Sequence, residues 1–268
     1  MIRRVIACGI LIIMPDWQAD AIILGVRPHG EGNAVLSVLT SEQGRHAGLV
    51  RAGSTSKLRA VLQPGNRVRV RWRARLSEQL GQMQLELCEA VPALLLDSPL
   101  RLAGIASACA LLDTTLPERE MQPVLFEASN ALLDLIKLDE TNAGWIEGYV
   151  RWELGLLATA GYQLDLSRCV ASGNTTNLGY VSPKSGNAVA VDSAGEFAGR
   201  MLVLPQFLGG VQNARHDWVA GLDLTGHFLA KRVFAAHNSD LPPQRKRLAD
   251  MVRNRYSGGQ DFMRRSDA

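Results

Sequence analysis

The side chains best equipped for chemistry in this sequence are arginines. Arg67, Arg69, Arg71, Arg73 and Arg75 stand at every second position, with Val68, Val70, Trp72, Ala74 and Leu76 between them. A guanidinium is planar, stays charged and donates paired hydrogen bonds that match a phosphate. Cations set side by side repel one another, and a polyanion lying across them relieves the repulsion. The competing reading is a solvated face neutralised by carboxylates of a neighbouring segment, such as Glu86. Arg45, Arg51, Lys57 and Arg59 lie shortly before the run, and with Arg67, Arg69, Arg71 and Arg73 they form the predicted phosphate-binding set. A second basic candidate lies near the C-terminus, at Arg245, Lys246 and Arg247.

Other chemistries find less support. Ser54-Thr55-Ser56-Lys57 has the spacing of a Ser-x-x-Lys nucleophile, but the companion motifs of those enzymes are absent. The histidines His29, His46, His216, His227 and His237 form no close ligand pair and read as core or surface residues. Gly30-Glu31-Gly32 lacks the rest of a dinucleotide loop. The cysteines Cys8, Cys88, Cys109 and Cys169 make no CxxC, so neither a disulfide framework nor structural zinc is expected. No catalysis, metal or cofactor is therefore expected, and binding remains. Trp72 should point inward, which leaves few aromatics for base stacking. Backbone contact with little sequence preference follows.

The elements that must position these arginines can be read from periodicity. An extended strand points successive side chains to opposite faces, so a strand over 67–76 would gather five guanidiniums on one surface and bury the apolar set. Further strands are predicted over 19–27, 34–40, 45–51 and 82–90, with turns between them and a polar basic loop over 53–59. Five short strands in residues 14–92 suggest an OB-type barrel, a fold that commonly binds single-stranded nucleic acid.

From residue 93 the apolar spacing turns helical. Leu102, Ile105, Cys109 and Leu112 form one stripe, and Val124, Ala128, Leu132 and Leu135 a second. A longer helix is predicted over 141–160, with Trp145, Tyr149, Trp152, Leu156 and Leu157 in the core and Gly161 past its end. Residues 165–191 break this texture, with β-like pieces around Tyr180 and Val189. Helices resume over 194–204, 218–237 and 242–256, and 257–268 is expected to fray. The class is α+β: a barrel over 14–92, then a helical domain over 93–256.

Of the 268 residues 47% are apolar, enough for a real core. The net charge of +3 hides segregation: residues 14–92 carry +3, 93–165 carry −7 and 166–268 carry +5. That pattern allows a polyanion site at either end. Residues 1–13 hold two arginines and an apolar run too short to span a membrane. They are read as a leader or an over-extended start, with Met14 as the natural one. No other segment reaches transmembrane length, and a cytoplasmic protein is expected.

Several stretches carry a resemblance: Arg27-Pro28-His29-Gly30-Glu31, Gly44-Arg45-His46-Ala47-Gly48-Leu49-Val50, Leu62-Gln63-Pro64-Gly65-Asn66, Trp72-Arg73-Ala74-Arg75-Leu76, Leu116-Pro117-Glu118-Arg119-Glu120, Leu164-Asp165-Leu166-Ser167-Arg168-Cys169, Tyr180-Val181-Ser182-Pro183-Lys184-Ser185-Gly186 and Gly221-Leu222-Asp223-Leu224-Thr225-Gly226-His227-Phe228-Leu229. In order and spacing they resemble the RecO family of bacterial recombinational-repair mediators, in its α-proteobacterial form.

The resemblance implies an N-terminal OB barrel and a helical domain carrying a small zinc-finger-like insert. Many relatives place zinc cysteines in that insert where this chain keeps only Cys169, so an insert without zinc is expected. It further implies binding and annealing of single- and double-stranded DNA on the nucleoid. The implied partners are the C-terminal tail of SSB, RecR and often RecF, in the loading of RecA. An RNA-binding OB-fold protein and a structural adaptor with solvated arginines are the alternatives. Arg73 and Arg75 belong to the family-like motif, whereas Arg67, Arg69 and Arg71 lie outside it.

Overall fold

The computed structural model describes residues 4–7, 10–13, 15–51, 56–138, 144–211 and 217–257. Packing divides the chain into two compact units, Met1–Lys137 and Leu138–Ala268.

The first unit opens with an antiparallel hairpin, β1 (Arg4–Ala7) and β2 (Ile10–Ile13). Its body is a five-stranded sheet of β3 (Asp16–His29), β4 (Asn33–Thr40), β5 (Gly44–Val50), β6 (Arg67–Arg73) and β7 (Gln82–Glu89). The hydrogen-bonded order is β3-β4-β5-β7-β6, and β6 returns to β3, so the sheet closes on itself. Closure depends on the length of β3. Its C-terminal half pairs with β4, its N-terminal half with β6, and a bulge between Ile23 and Gly25 bends it from one neighbour to the other. The seam between β5 and β7 is parallel and holds one register pair, Leu49 with Gln82. Inside lie Ile23, Leu36, Val38, Val68, Val70, Trp72 and Met83. Two glycines permit this packing. Gly44 has φ +58°, and a Cβ there would stand 1.7 Å from the Glu120 carbonyl oxygen; a Cβ on Gly81 would meet the Trp72 ring at 2.5 Å.

The arginine strand stops at Arg73, short of the expected Leu76. The Ala74 amide still donates to the Pro15 carbonyl at 3.2 Å, but β3 begins at Asp16 and offers little ladder beyond. Val68, Val70 and Trp72 are buried as the period demands, whereas Leu76 is exposed. The expected loop over 53–59 instead enters a short helix, α1 (Ser56–Val61), at its C-terminal end; residues 52–55 lie outside the described residues.

Two helices complete the unit, α2 (Pro99–Thr115) and α3 (Pro123–Leu138). The texture change at 92–93 is thus a change of secondary structure and not the edge of a compact unit, which runs to Lys137. Side chains of α2 and α3 hold barrel arginines, as described below. The predicted α3 stripe is out of phase: Val124 and Leu135 face solvent, and Leu125, Leu132, Leu133 and Ile136 are buried. Those four recur at intervals of seven, one and three, which keeps them on one helical face.

The second unit contains α4 (Gly144–Thr159), which buries Trp145, Tyr149, Trp152, Leu156 and Leu157 as expected. It ends in a Schellman turn: Gly161 has φ +86°, its amide donates to Ala158, and the Tyr162 amide donates to Leu157. Then comes a small sheet in the order β10-β8-β9, from β8 (Leu178–Val181), β9 (Ala188–Ala190) and β10 (Leu202–Val203). The helix expected over 194–204 is reduced to one turn, α5 (Val191–Ala194), and a 3-10 stretch, because Leu202 and Val203 pair with β8. Last come α6 (Asp217–Phe228), continued by π and 3-10 turns to His237, and α7 (Pro243–Ser257). No helix among the described residues is long and apolar enough to cross a membrane.

Candidate nucleic-acid interface

β6 lies between β3 and β7, and its odd-numbered side chains point away from the barrel core. The facing positions are Asp20 and Glu86 beside Arg69, Gln18 and Gln84 beside Arg71, and Asp16 and Gln82 beside Arg73. The arginines therefore stand in a mixed polar face, and they sort into three states.

Two are fully engaged in structure. Arg67 donates from Nη1 to Glu89 at 2.7 Å and to Asp134 at 2.8 Å, from Nε to the Asn130 side chain at 3.1 Å, and from Nη2 to the Asn130 carbonyl at 2.8 Å. Lys137 adds contacts to Glu89 at 2.6 Å and Asp134 at 3.2 Å. The hydrogen bond from Lys137 holds the Glu89 carboxyl below the usual range, and that from Arg67 does the same for Asp134. Arg45 donates from Nε to the Leu116 carbonyl at 2.7 Å and faces Asp113 and Glu118 at 3.6 and 3.3 Å. Asp113 also accepts from the Ser37 hydroxyl and from Arg27. These two guanidiniums tie the barrel to α2 and α3.

Two are paired but half-exposed. Arg69 donates to Asp20 at 2.9 Å, and Arg71 grips both oxygens of Asp16. The Arg71 hydrogen bonds hold the Asp16 carboxyl below its usual range. Arg71 reaches diagonally across the sheet for Asp16, the residue directly opposite Arg73. Arg73 and the exposed Arg51, Arg59 and Arg75 make no ion pair among the described residues, although the Arg73 charge still acts on Asp16. Lys57 lies in α1, but its side chain is outside the described residues.

Sequence reasoning named Glu86 as the neutralising carboxylate and missed Asp16, Asp20, Asp113 and Asp134. A signal existed for the first two. Asp16, Gln18 and Asp20 alternate with Trp17, Ala19 and Ala21, but the strand was expected to start only at Ala19.

The second basic candidate loses Arg245. That side chain is 2% exposed and donates from Nε and Nη2 to Glu153, which is itself fully buried, and from Nη2 to the Leu222 carbonyl at 2.8 Å. Burial opposes the guanidinium's charge, but the Glu153 carboxylate more than offsets it and raises the pKa. Lys246 and Arg247 are exposed, with Lys246 facing Asp240 at 3.6 Å.

His46 is buried edge-on between Trp17 and Trp72, at ring distances of 5.0 and 4.7 Å, and neither of its nitrogens has a hydrogen-bond partner. Burial, aided by the Arg119 charge, pushes its pKa down to about 4.

Cys169 opens a tight turn in which its amide donates to the Asn174 carbonyl and the Gly173 amide returns to the Cys169 carbonyl. The Ser172 amide donates to Sγ at 3.5 Å. Burial raises this thiol, but the amides of Ala190, Ser172 and Ala171 and the Ser172 hydroxyl pull it down further, to about 6. N–H groups stabilise a thiolate yet cannot ligate a metal. No group of three His, Cys, Asp or Glu side chains able to hold one occurs among the described residues, so the residues of the insert do not fit zinc.

Two family models match the chain: Recombination protein O N terminal over residues 14–91 and Recombination protein O C terminal over residues 96–241. The models divide the chain where its texture changes, whereas packing divides it after α3. A Rhodospirillum centenum protein named DNA repair protein RecO is 48% identical over 245 residues, covering 90% of this chain and 96% of its own. Proteins of the same name from Paracoccus denitrificans and Gluconacetobacter diazotrophicus are 46% and 43% identical, covering 91% and 88% of this chain and 99% and 95% of their own.

Proposed function

This chain belongs to the RecO family, and from that premise we propose how its surface serves that role. It is a DNA repair and recombination protein, a mediator that works by binding DNA. The closed five-stranded sheet is an OB-type barrel and carries the DNA contacts. Arg51, Arg59, Arg73 and Arg75 supply phosphate contacts directly, with Lys57 beside them. Arg69 and Arg71 join when phosphate replaces Asp20 and Asp16. Lys246 and Arg247 form a minor second site. Single- and double-stranded DNA are both bound, and a cationic surface lets two strands approach and anneal. The chain is not an enzyme. It acts in the cytoplasm at the nucleoid, with RecR, the SSB tail and RecF, in loading RecA.

The observation that carries this reading is the set of exposed guanidiniums on the barrel and on α1 that make no ion pair among the described residues. Arg51→Gln, Arg59→Gln and Arg73→Gln should each lower the log–log salt slope of single-strand binding by about 0.7. Arg45→Gln and Arg67→Gln should leave that slope unchanged. The adaptor reading draws on the Arg69–Asp20 and Arg71–Asp16 pairs, which are what a solvated face would show. Absence of any DNA binding at moderate salt, with RecR and SSB still captured, would decide for the adaptor.

A further inference from the structure

The β5–β7 seam is the weak point of the closed sheet. With one register pair between these strands, β7 beyond Gln82 has no ladder partner on that side. A groove of about 300 Å³ opens there. Leu49, Leu58, Met83 and Leu85 give it much of its apolar lining, and Gln82, Gln84 and Arg51 are the polar residues beside them. Among the described residues no carboxylate lines it. Gln82 sits directly opposite Arg73 on β6, so exposed guanidiniums flank the groove on both sides, Arg51 just past the end of β5 and Arg73 across β7.

We propose that this groove seats a base of single-stranded DNA, with Arg51 and Arg73 holding the phosphates on either side. The proposal rests on the reading of the barrel as the DNA-binding part. The chemistry matches a nucleotide point by point. An apolar lining accepts the flat face of a base, and the Gln84 amide and the unladdered β7 backbone offer donors and acceptors to its edge. Cations at the rims meet the anionic links. An extended acidic peptide is the rival occupant, adding a strand along β7. Such a strand would run past Glu86, the exposed acid next along β7, whereas a nucleic acid crossing the seam meets only Gln82 to Leu85. A site of this kind distinguishes strands with bases turned outward from a closed duplex.

The test compares a thymidine oligonucleotide with an abasic one of equal length, which carries the same phosphates and no bases. The full chain should bind the thymidine strand about fivefold more tightly, the low end of what a stacked base contributes. Leu58→Asn removes part of the lining without altering charge, and Gln84→Ala removes an exposed side chain of the lining. Both should bring the ratio close to one with abasic affinity unchanged. Equal affinities in the wild type, or a ratio that survives in both variants, would overturn the groove while leaving the barrel as a phosphate-binding surface. Failure of both strands to bind wild type at moderate salt would instead overturn the parent reading. A labelled acidic peptide that binds wild type and is lost in both variants, with the two strands bound equally, would assign the groove to peptide and refute the proposal.

Discussion

A buried imidazole inside the barrel makes the fold sensitive to mild acid. His46 is wedged between Trp17 and Trp72 with neither nitrogen bonded, and its pKa in the folded chain is about 4. In the unfolded chain it returns to about 6.5. Between those values the unfolded state binds the proton and the folded state does not, so stability falls as pH drops through that window. It is fully present above about 6.5, and the His46 contribution levels off below about 4. Two and a half units at about 1.36 kcal/mol each give a loss of roughly 3 kcal/mol.

His46→Phe keeps an aromatic ring between the tryptophans, removes two unsatisfied nitrogens and abolishes the titration. Urea unfolding, followed by tryptophan fluorescence at a series of pH values, measures both proteins. Carboxylates titrate near the lower end in each, so the difference between wild type and variant isolates the histidine. That difference should grow steadily as pH falls from about 6.5 to about 4. Parallel curves across the window would refute the account, and would mean that water or a shifted ring already satisfies the imidazole.

Two further outcomes follow from the ion pairs. Glu153→Gln strands a buried guanidinium and should cost about 3–5 kcal/mol, read as an early thermal transition, whereas the paired replacement Glu153→Leu with Arg245→Met should recover most of it; neither should change the salt slope of DNA binding. Asp16→Asn with Asp20→Asn frees Arg71 and Arg69, and should tighten single-strand binding and steepen its salt slope by about one to two contacts, more than Asp97→Asn, whose carboxylate lies away from these arginines, does in the same titration.

Much of the first unit was legible because a strand's period is short and unambiguous. Alternation over 67–73 named both the buried set and the outward arginines, and turn residues marked the remaining strands. What could not be read was the charge state of that outward face. Ion pairing depends on cross-strand register and on what arrives from elsewhere. Asp20 reaches Arg69 only because β3 closes the barrel, and Asp134 reaches Arg67 only because α3 docks beside it. Arg245 shows the same limit. In a run of basic residues it reads as surface, and only the partner Glu153 on α4, far away in sequence, makes its burial tolerable. The α3 stripe failed for a local reason, since apolar residues on two adjacent faces let a one-position shift look equally periodic.

The long strand β3 also imposes an order on folding. The pairings of β3 with β4, β4 with β5 and β6 with β7 each join neighbours across short turns, whereas closure of β3 onto β6 brings together residues such as Asp16 and Arg71, 55 positions apart. Loop-closure entropy delays that step behind the hairpins. Until it happens the carboxylates of β3 are absent from the side of β6, and Arg69 and Arg71 stand bare. A molecule caught before closure is thus more cationic on this face than the finished one. Docking of β3 does two things at once, closing the sheet and neutralising part of its arginine face.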